Sequence, residues 1–300
     1  MSALVLPERK PAQSYGDGLE RARAIMALDG ADVLPAAHSA LLEHGRRTPL
    51  AVVLLHGYTN NPAQYAAFAP QLFQRGVNVF VPRMPEHGDR DRLTARIAGL
   101  TAGALVRGVA EALDAASGLG ERVGVLGISM GGSLAAYVAQ HWEVAVAVPV
   151  APDFALLELP YSVSRFAGRV LSVLPNLFMW WDPRERARHQ PLTAYPRFST
   201  RALAQTLLIG DDVHAAARLE PPRAVRIVTI VNRCDPAVNN EVTQQISLEW
   251  TGWRPRGVEY VELRGLPENH DIVDPQNPLA RTDRVYPMLL KALGADGQKP

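Results

Sequence analysis

The segment "GISMG", Gly127–Gly131, sets one serine among glycines where the apolar run "RVGVLGI" (122–128) gives way to small residues. A serine hydroxyl at its free pKa is a poor nucleophile; it needs a base to take its proton and an acid to orient that base. G-x-S-x-G is a weak pattern alone, because three fixed positions in five recur by chance. Its weight comes from context, a buried strand before it and a helix after it, and the flanking sequence supplies both. In that setting the chain turns sharply at Ser129, and side chains at Gly127 and Gly131 would collide with the neighbouring strand and helix. The hydroxyl then stands above the strand ends, where a helix N-terminus faces developing negative charge. Ser129 is therefore the candidate nucleophile rather than part of a featureless Gly/Ser turn.

The base and the acid are sought downstream, in the order serine, acid, histidine. Of the 8 histidines, only His270 lies beyond the strand expected at 225–232, in the polar loop "LPENHDIVD" (266–274). The acid belongs after that strand, where "VNRCDPAVNN" (231–240) holds Asp235 and Pro236 helps end the strand. Asp153, after an earlier strand, is a rival acid. Two N–H donors for an oxyanion are expected from Met130, which follows the nucleophile, and from Tyr58 in the loop "LLHGYTNNP" (54–62). His56 in that loop reads as a residue that steadies the loop rather than as a base.

Competing chemistries find no matching pattern. G-x-G-x-x-G fails because Gly118 and Gly120 precede the strand and position 123 is Val. Neither a P-loop nor H-E-x-x-H occurs, and "HGDRD" (87–91) reads as a polar loop with solvated charges. No cofactor and no metal are expected. The formal net charge of +1 gives no electrostatic reason to propose a nucleic acid partner. Only three of the 31 basic residues are lysine (Lys10, Lys291, Lys299), a compositional bias without chemical meaning. The only cysteine, Cys234, rules out an intrachain disulfide and reads as a small buried residue. No signal-peptide core is evident near the start, and the longest apolar stretch, "VAVAVPVA" (144–151), is too short to span a bilayer. A cytoplasmic protein without stable membrane insertion is the expectation.

The elements that must position these residues follow from periodicity. Residues 17–28 read as a short helix after a loose terminus to about Lys10, and 38–45 and 50–57 as two strands across the turn "RRTP". A helix over 61–76 and a strand over 77–82 come next, followed by a helix over 101–116, the strand 122–128, a helix over 131–141 and a strand over 143–150. After a break at Ala151 the rhythm resumes with strand 225–232, helix 239–249, strand 257–263 and a closing helix near 284–293. Near-continuous apolar strands alternating with helices predict an α/β fold, with a mostly parallel central sheet covered by helices on both faces.

Within the break, residues 154–198 carry eight of the chain's twenty Phe, Trp and Tyr. An inserted helical cap with an apolar inner face would explain that concentration, because substrate pockets are lined mainly by such side chains. Phe178, Met179, Trp180 and Trp181 are the candidate acyl-pocket residues, expected on a helix that turns one or two of them inward. Phe68 and Tyr161 are further candidates for the pocket.

Taken together, "LLHGYT", "PRMPEHG", "GISMGG", "CDPAVN" and "ENHDIVD" resemble the α/β-hydrolase superfamily, and more narrowly bacterial carboxylesterases and monoacylglycerol lipases. The resemblance spans about residues 48–152 and 222–293. It implies a sheet of the eight-strand type, a triad of Ser129, His270 and Asp235, no cofactor, and a small-molecule ester as substrate. The expected division is an N-terminal extension (1–40) without counterpart in the family, a hydrolase core (41–152 and 222–300) and a helical cap insertion (153–221). The expected activity is cleavage of carboxylic esters with short- to medium-chain acyl groups, monoacylglycerols among the possible substrates, through an acyl-enzyme. The alternatives are acyl transfer or perhydrolysis on the same triad, and a ligand-binding protein that keeps the fold without turnover.

Overall fold

The computed structural model describes residues 4–155, 160–189 and 191–296. Its central sheet has seven strands: β1 (Ala40–Leu42), β2 (Thr48–Leu55), β3 (Asn78–Val81), β4 (Gly120–Ile128), β5 (Val146–Val150), β8 (Arg226–Asn232) and β9 (Val258–Leu263). The order across the sheet is β1-β3-β2-β4-β5-β8-β9. All neighbours are parallel except β1, which runs antiparallel to β3 at the edge. The sheet is thus one strand short of the eight expected among the described residues, and the first two strands are not a hairpin. Their connection crosses the start of β3, held there by buried Asn78. The Asn78 carboxamide accepts from His44 N–H at 2.8 Å and donates to the carbonyls of Arg46 and Leu119, each at 2.8 Å.

Strand alternation divides the core into two layers. In β2, Ala51, Val53 and Leu55 face a cluster with Leu105, Val109 and Leu134 of helices α3 (Ala102–Leu119) and α4 (Met130–His141). Leu50, Val52 and Leu54 face the other way, onto Phe68, Leu72 and Leu289 beside α2 (Ala69–Phe73) and α8 (Thr282–Leu293). The helix expected over 61–76 is instead a 3₁₀ turn (Pro62–Tyr65) followed by the short α2. Pro70 accounts for the break: it lacks an N–H and is tolerated only in the first turn, so the helix restarts just before it.

Helix α1 (Tyr15–Met26) packs on α3, and the chain before it is anchored from Arg9 onward. Asp114 pairs with Arg9 and accepts from Lys10 N–H at 2.7 Å, while its carbonyl accepts from Ala12 N–H at 3.0 Å. The first three residues of that expected terminus lie outside the described residues.

Between β5 and β8 the chain forms α5 (Tyr161–Val173), an antiparallel ribbon of β6 (Phe178–Trp180) and β7 (Arg197–Ser199), and α6 (Thr200–Leu219). The ribbon corrects the all-helical expectation. Residues 178–180 pair with a partner nearly twenty positions on, in the register Phe178↔Ser199, Met179↔Phe198 and Trp180↔Arg197. Helix α7 (Asn240–Trp253) completes the set, with Trp250 fully buried and its indole donating to Gln140 Oε1 at 2.7 Å.

Candidate active site

Ser129 sits between the last residue of β4 and the first of α4, with φ 58° and ψ −120°. A non-glycine residue rarely adopts that conformation, and holding it costs about 1–3 kcal/mol, supplied by the packing around it. Two glycines make the turn possible. A Cβ on Gly127 would lie 2.0 Å from the Gly131 carbonyl oxygen, and one on Gly131 would lie 2.0 Å from the Leu55 carbonyl oxygen. The elbow is tied to the sheet by Ser129 N–H, which donates to Val150 O at 3.0 Å.

His270 and Asp235 come from the loops after β9 and β8. Asp235 has no solvent-exposed side-chain surface; its Oδ1 accepts from Ala237 and Val238 N–H at 2.8 and 3.3 Å, and its Oδ2 meets His270 Nδ1 at 2.8 Å. An ionised carboxylate can only accept, so the Nδ1 proton belongs to that bond and Nε2 carries the lone pair. Burial works against the imidazolium. The facing charge and hydrogen bond of Asp235, helped by Asp271 and Asp153, outweigh it and raise the His270 pKa above its ordinary value. Asn232, the last residue of β8, steadies the histidine loop by donating to the carbonyls of Pro267 and Asn269 at 2.9 and 2.8 Å.

Ser129 and His270 line one cavity of about 270 Å³, together with Gly57, Tyr58, Gln64, Asp153 and Trp181. Among the described residues, the backbone N–H groups of Tyr58 and Met130 donate to no protein acceptor. Met130 opens α4, where the first N–H groups have no intrahelical partner. Tyr58 is held through its side chain, whose hydroxyl donates to Ser199 O at 2.8 Å and accepts from Ser199 N–H at 3.0 Å. His56 is fully buried and neutral, bonded to Gly57 O through Nδ1 at 2.9 Å and accepting Met84 N–H at Nε2 at 3.0 Å. It steadies the loop and stands outside the cavity lining.

Asp153 also lines the cavity, but Asp235 is the carboxylate that His270 Nδ1 engages. Of the candidate pocket residues, Trp181 alone lines this cavity among the described residues. Phe68 is buried in the layer beneath the sheet, its ring centroid 5.0 Å from that of Tyr286. Tyr161 joins α5 to α6, donating to Asp211 at 2.9 Å and packing its ring on His214. Phe178 lies under the Arg197 guanidinium, Trp180 packs near His189 and Arg186, and Met179 points to solvent. In the strand Met179 turns to the face opposite Phe178 and Trp180, and none of the three reaches the cavity.

Two expectations outside the cavity are corrected. His87 in "HGDRD" is buried rather than solvated, stacked on Tyr195 with its Nδ1 2.8 Å from Pro85 O. Cys234 is exposed, because it occupies the turn that aims Asp235 inward.

Sequence reasoning missed the link between the two functional loops. Gln64 Oε1 accepts Gly57 N–H at 2.8 Å, and its Nε2 donates to Asp271 Oδ2 at 2.8 Å. Asp271 Oδ1 in turn accepts from Val273 and Asp274 N–H at 3.1 and 3.0 Å, so one glutamine ties the Tyr58 loop to the His270 loop. The adjacency of Asp271 to His270 was the only available signal. No group of three or more His, Cys, Asp or Glu among the described residues is arranged to hold a metal ion. No helix of the described residues is long and apolar enough to cross a membrane.

Comparison with known proteins agrees with this architecture. The chain is 28% identical over 184 residues to the thermostable monoacylglycerol lipase of Bacillus sp. (strain H-257), covering 58% of this chain and 68% of that protein. The structure described for the metagenome-derived lipolytic enzymes LipS and LipT superposes with a TM-score of 0.63 at 18% identity, over 87% of this chain and 99% of that one. The monoacylglycerol lipase of Paleococcus ferrophilus gives 0.61 at 16% identity, over 86% and 98%. At such identities the two structures speak for the fold. The sequence pattern of the alpha/beta hydrolase family matches residues 52–295, from the middle of β2 to the residues just after α8, and the chain belongs to that family.

Proposed function

We propose that this protein hydrolyses carboxylic esters through an acyl-enzyme. The observation that carries the reading is the strained Ser129 elbow opening on the same cavity as a histidine whose Nδ1 is held by a buried carboxylate. Likeness in sequence to a monoacylglycerol lipase supports the same reaction class.

On this reading Ser129 Oγ attacks the ester carbonyl and gives its proton to His270 Nε2. The carbonyl oxygen gains negative charge, which the free N–H groups of Tyr58 and Met130 stabilise; losing one such donor costs about 3–4 kcal/mol in comparable sites. Collapse of the tetrahedral adduct breaks the bond to the alkoxide, which takes the proton back from His270. Water then gives a proton to Nε2 and its oxygen attacks the acyl carbonyl; the acid leaves and Ser129 recovers its proton. Asp235 keeps the imidazole in the tautomer these steps require and stabilises the imidazolium. Residues 153–221 act as the cap and 1–40 as an extension on the hydrolase core. A cytoplasmic location accords with the single cysteine, Cys234.

Stopped-flow hydrolysis of p-nitrophenyl butyrate tests this. A burst of nitrophenolate near one equivalent per active site, followed by slower turnover, is expected, with the acyl group recovered on Ser129 by peptide mass spectrometry. Turnover without any adduct on Ser129 would overturn the mechanism.

A further inference from the structure

Asp153 is a buried carboxylate of the cavity that the proposed mechanism leaves without a task. It follows β5, its backbone N–H reaches Ser129 O at 3.4 Å, and it is 6% exposed. One carboxylate oxygen, Oδ1, accepts from the Ser133 hydroxyl. The other, Oδ2, is buried without a hydrogen-bond partner. Thr206 is close enough to favour the charged form, but its single hydroxyl proton goes to Leu203 O at 2.8 Å. His270 Nδ1 is already committed to Asp235, so Asp153 is not needed as its orienting acid.

A half-satisfied carboxylate in a cavity that Ile128, Ala155, Leu203 and Val238 also line is costly, since an ionised carboxylate has acceptor capacity on both oxygens. Burial pushes the Asp153 pKa up to about 6, which leaves it mostly ionised, and therefore a pure acceptor, at neutral pH. An orphaned buried polar group in a native structure calls for a partner, and one that lines a cavity beside a candidate nucleophile can take it from the substrate.

We propose that Asp153 is a substrate-binding residue: its free oxygen accepts a hydrogen bond from a hydroxyl or ammonium group that the ester carries within a few bonds of the scissile carbonyl. That limit follows from Asp153 and Ser129 lining the same cavity of about 270 Å³. This deepens the ester-hydrolase reading and rests on it. The same carboxylate would repel an anionic group at that place, so the favoured esters are neutral or cationic near the reacting carbon.

The donor can belong to either side of the ester, and two isosteric pairs distinguish the sides. For the acyl side, p-nitrophenyl β-hydroxybutyrate is compared with p-nitrophenyl β-methylbutyrate; for the alcohol side, hydroxyethyl butyrate is compared with propyl butyrate. The full-length enzyme should prefer the hydroxyl member of one pair by about 10- to 100-fold in kcat/KM, the range expected of a hydrogen bond to a charged acceptor. Asp153→Ala should bring that ratio to about one, and Asp153→Asn, a weaker acceptor of the same shape, should leave it intermediate. If the alanine variant fails to fold, as judged by its melting transition, the asparagine ratio decides alone. Ratios within about twofold in the parent enzyme for both pairs would mean that solvent serves Oδ2, and the inference would fall while ester hydrolysis stood. A preference that persists unchanged in the variants would equally overturn it. Cleavage of none of the four esters would remove both readings together.

Discussion

Trp181→Ala is the most informative single perturbation of the cavity. Trp181 walls the 270 Å³ cavity of Ser129 and also a more open one of about 600 Å³, which shares Asn60 and Asp271 with it. Removing the indole should join the two spaces. The side chain is 47% exposed, so the loss falls short of the full 3–5 kcal/mol of a buried Trp truncation. What disappears is one hydrogen bond to Thr59 Oγ1 at 2.8 Å, worth about 1 kcal/mol, and ring contacts with Phe198 and Tyr58 at centroid distances of 4.3 and 6.3 Å, worth about 0.5–1.5 kcal/mol. A destabilisation of about 2 kcal/mol follows, lowering Tm by a few degrees. The effect on specificity is larger. Each buried methylene contributes about 0.8 kcal/mol, roughly fourfold in kcat/KM, so two further methylenes accommodated beyond the parent's optimum give roughly 15-fold. The assay is kcat/KM over a series of p-nitrophenyl esters of increasing acyl length, read as the shape of the profile, because the lost tie to Thr59 can lower every rate together. An unchanged profile with a lowered Tm would refute the argument and leave Trp181 as a clamp on the Tyr58 loop.

Five further outcomes are expected. Ser129→Ala should lower kcat on the order of 10⁶-fold, and a phosphonate should label Ser129 in the parent alone; surviving activity with labelling elsewhere would displace the nucleophile. Asp235→Asn should cost roughly 10⁴-fold in kcat, and more than Asp153→Asn does on an unfunctionalised ester; the reverse ranking would reassign the acid. In the proposed mechanism His270 is neutral when it accepts the proton, and its pKa is raised, so kcat/KM should fall on acidification through a pKa above the ordinary histidine value, and in Asp235→Asn that limb should move to lower pH. The same raised pKa means that the His270–Asp235 pair stabilises the fold fully at acidic pH below the unfolded value, and that this share is lost as pH rises through the folded one; a urea titration across that window checks the sign. Gln64→Met, which deletes both ends of the bridge between Gly57 and Asp271, should lower kcat by about 100-fold with KM little changed; a fall in Tm alone would make Gln64 merely structural.

The juxtaposition of Ser129, His270 and Asp235 was readable because each depends on a local signal, a strand ending in a glycine-flanked elbow or in a polar loop. The alternation of apolar strands and helices likewise implied the parallel sheet. Elements whose partners lie far along the chain were not readable. Nothing near residue 178 announces its pairing with Ser199, so four bulky residues in a row read as a helix. Nothing near Gln64 announces Asp271, 207 positions on. The antiparallel seat of β1 depends on the buried carboxamide of Asn78, which in the sequence is simply a polar residue opening an apolar run. Pro70 was the exception, a local signal present but overridden by the apolar periodicity around it.

The ribbon segment grips the Tyr58 loop at several points: Tyr195 N–H donates to Thr59 O at 2.9 Å, Trp181 Nε1 to Thr59 Oγ1 at 2.8 Å, Asn61 Nδ2 to Thr193 O at 2.8 Å, and Tyr58 and Ser199 exchange two bonds. In this chain, then, the insertion is not an interchangeable module. A chimera carrying the corresponding segment of a relative would inherit that segment's substrate walls, but it would also reset the backbone that carries the Tyr58 N–H, the oxyanion donor of the proposed mechanism. Exploring new substrates by wholesale exchange here risks the chemistry itself, and the freer route for divergence runs through single side chains such as Trp181, changed while the grip of the flanking residues is kept.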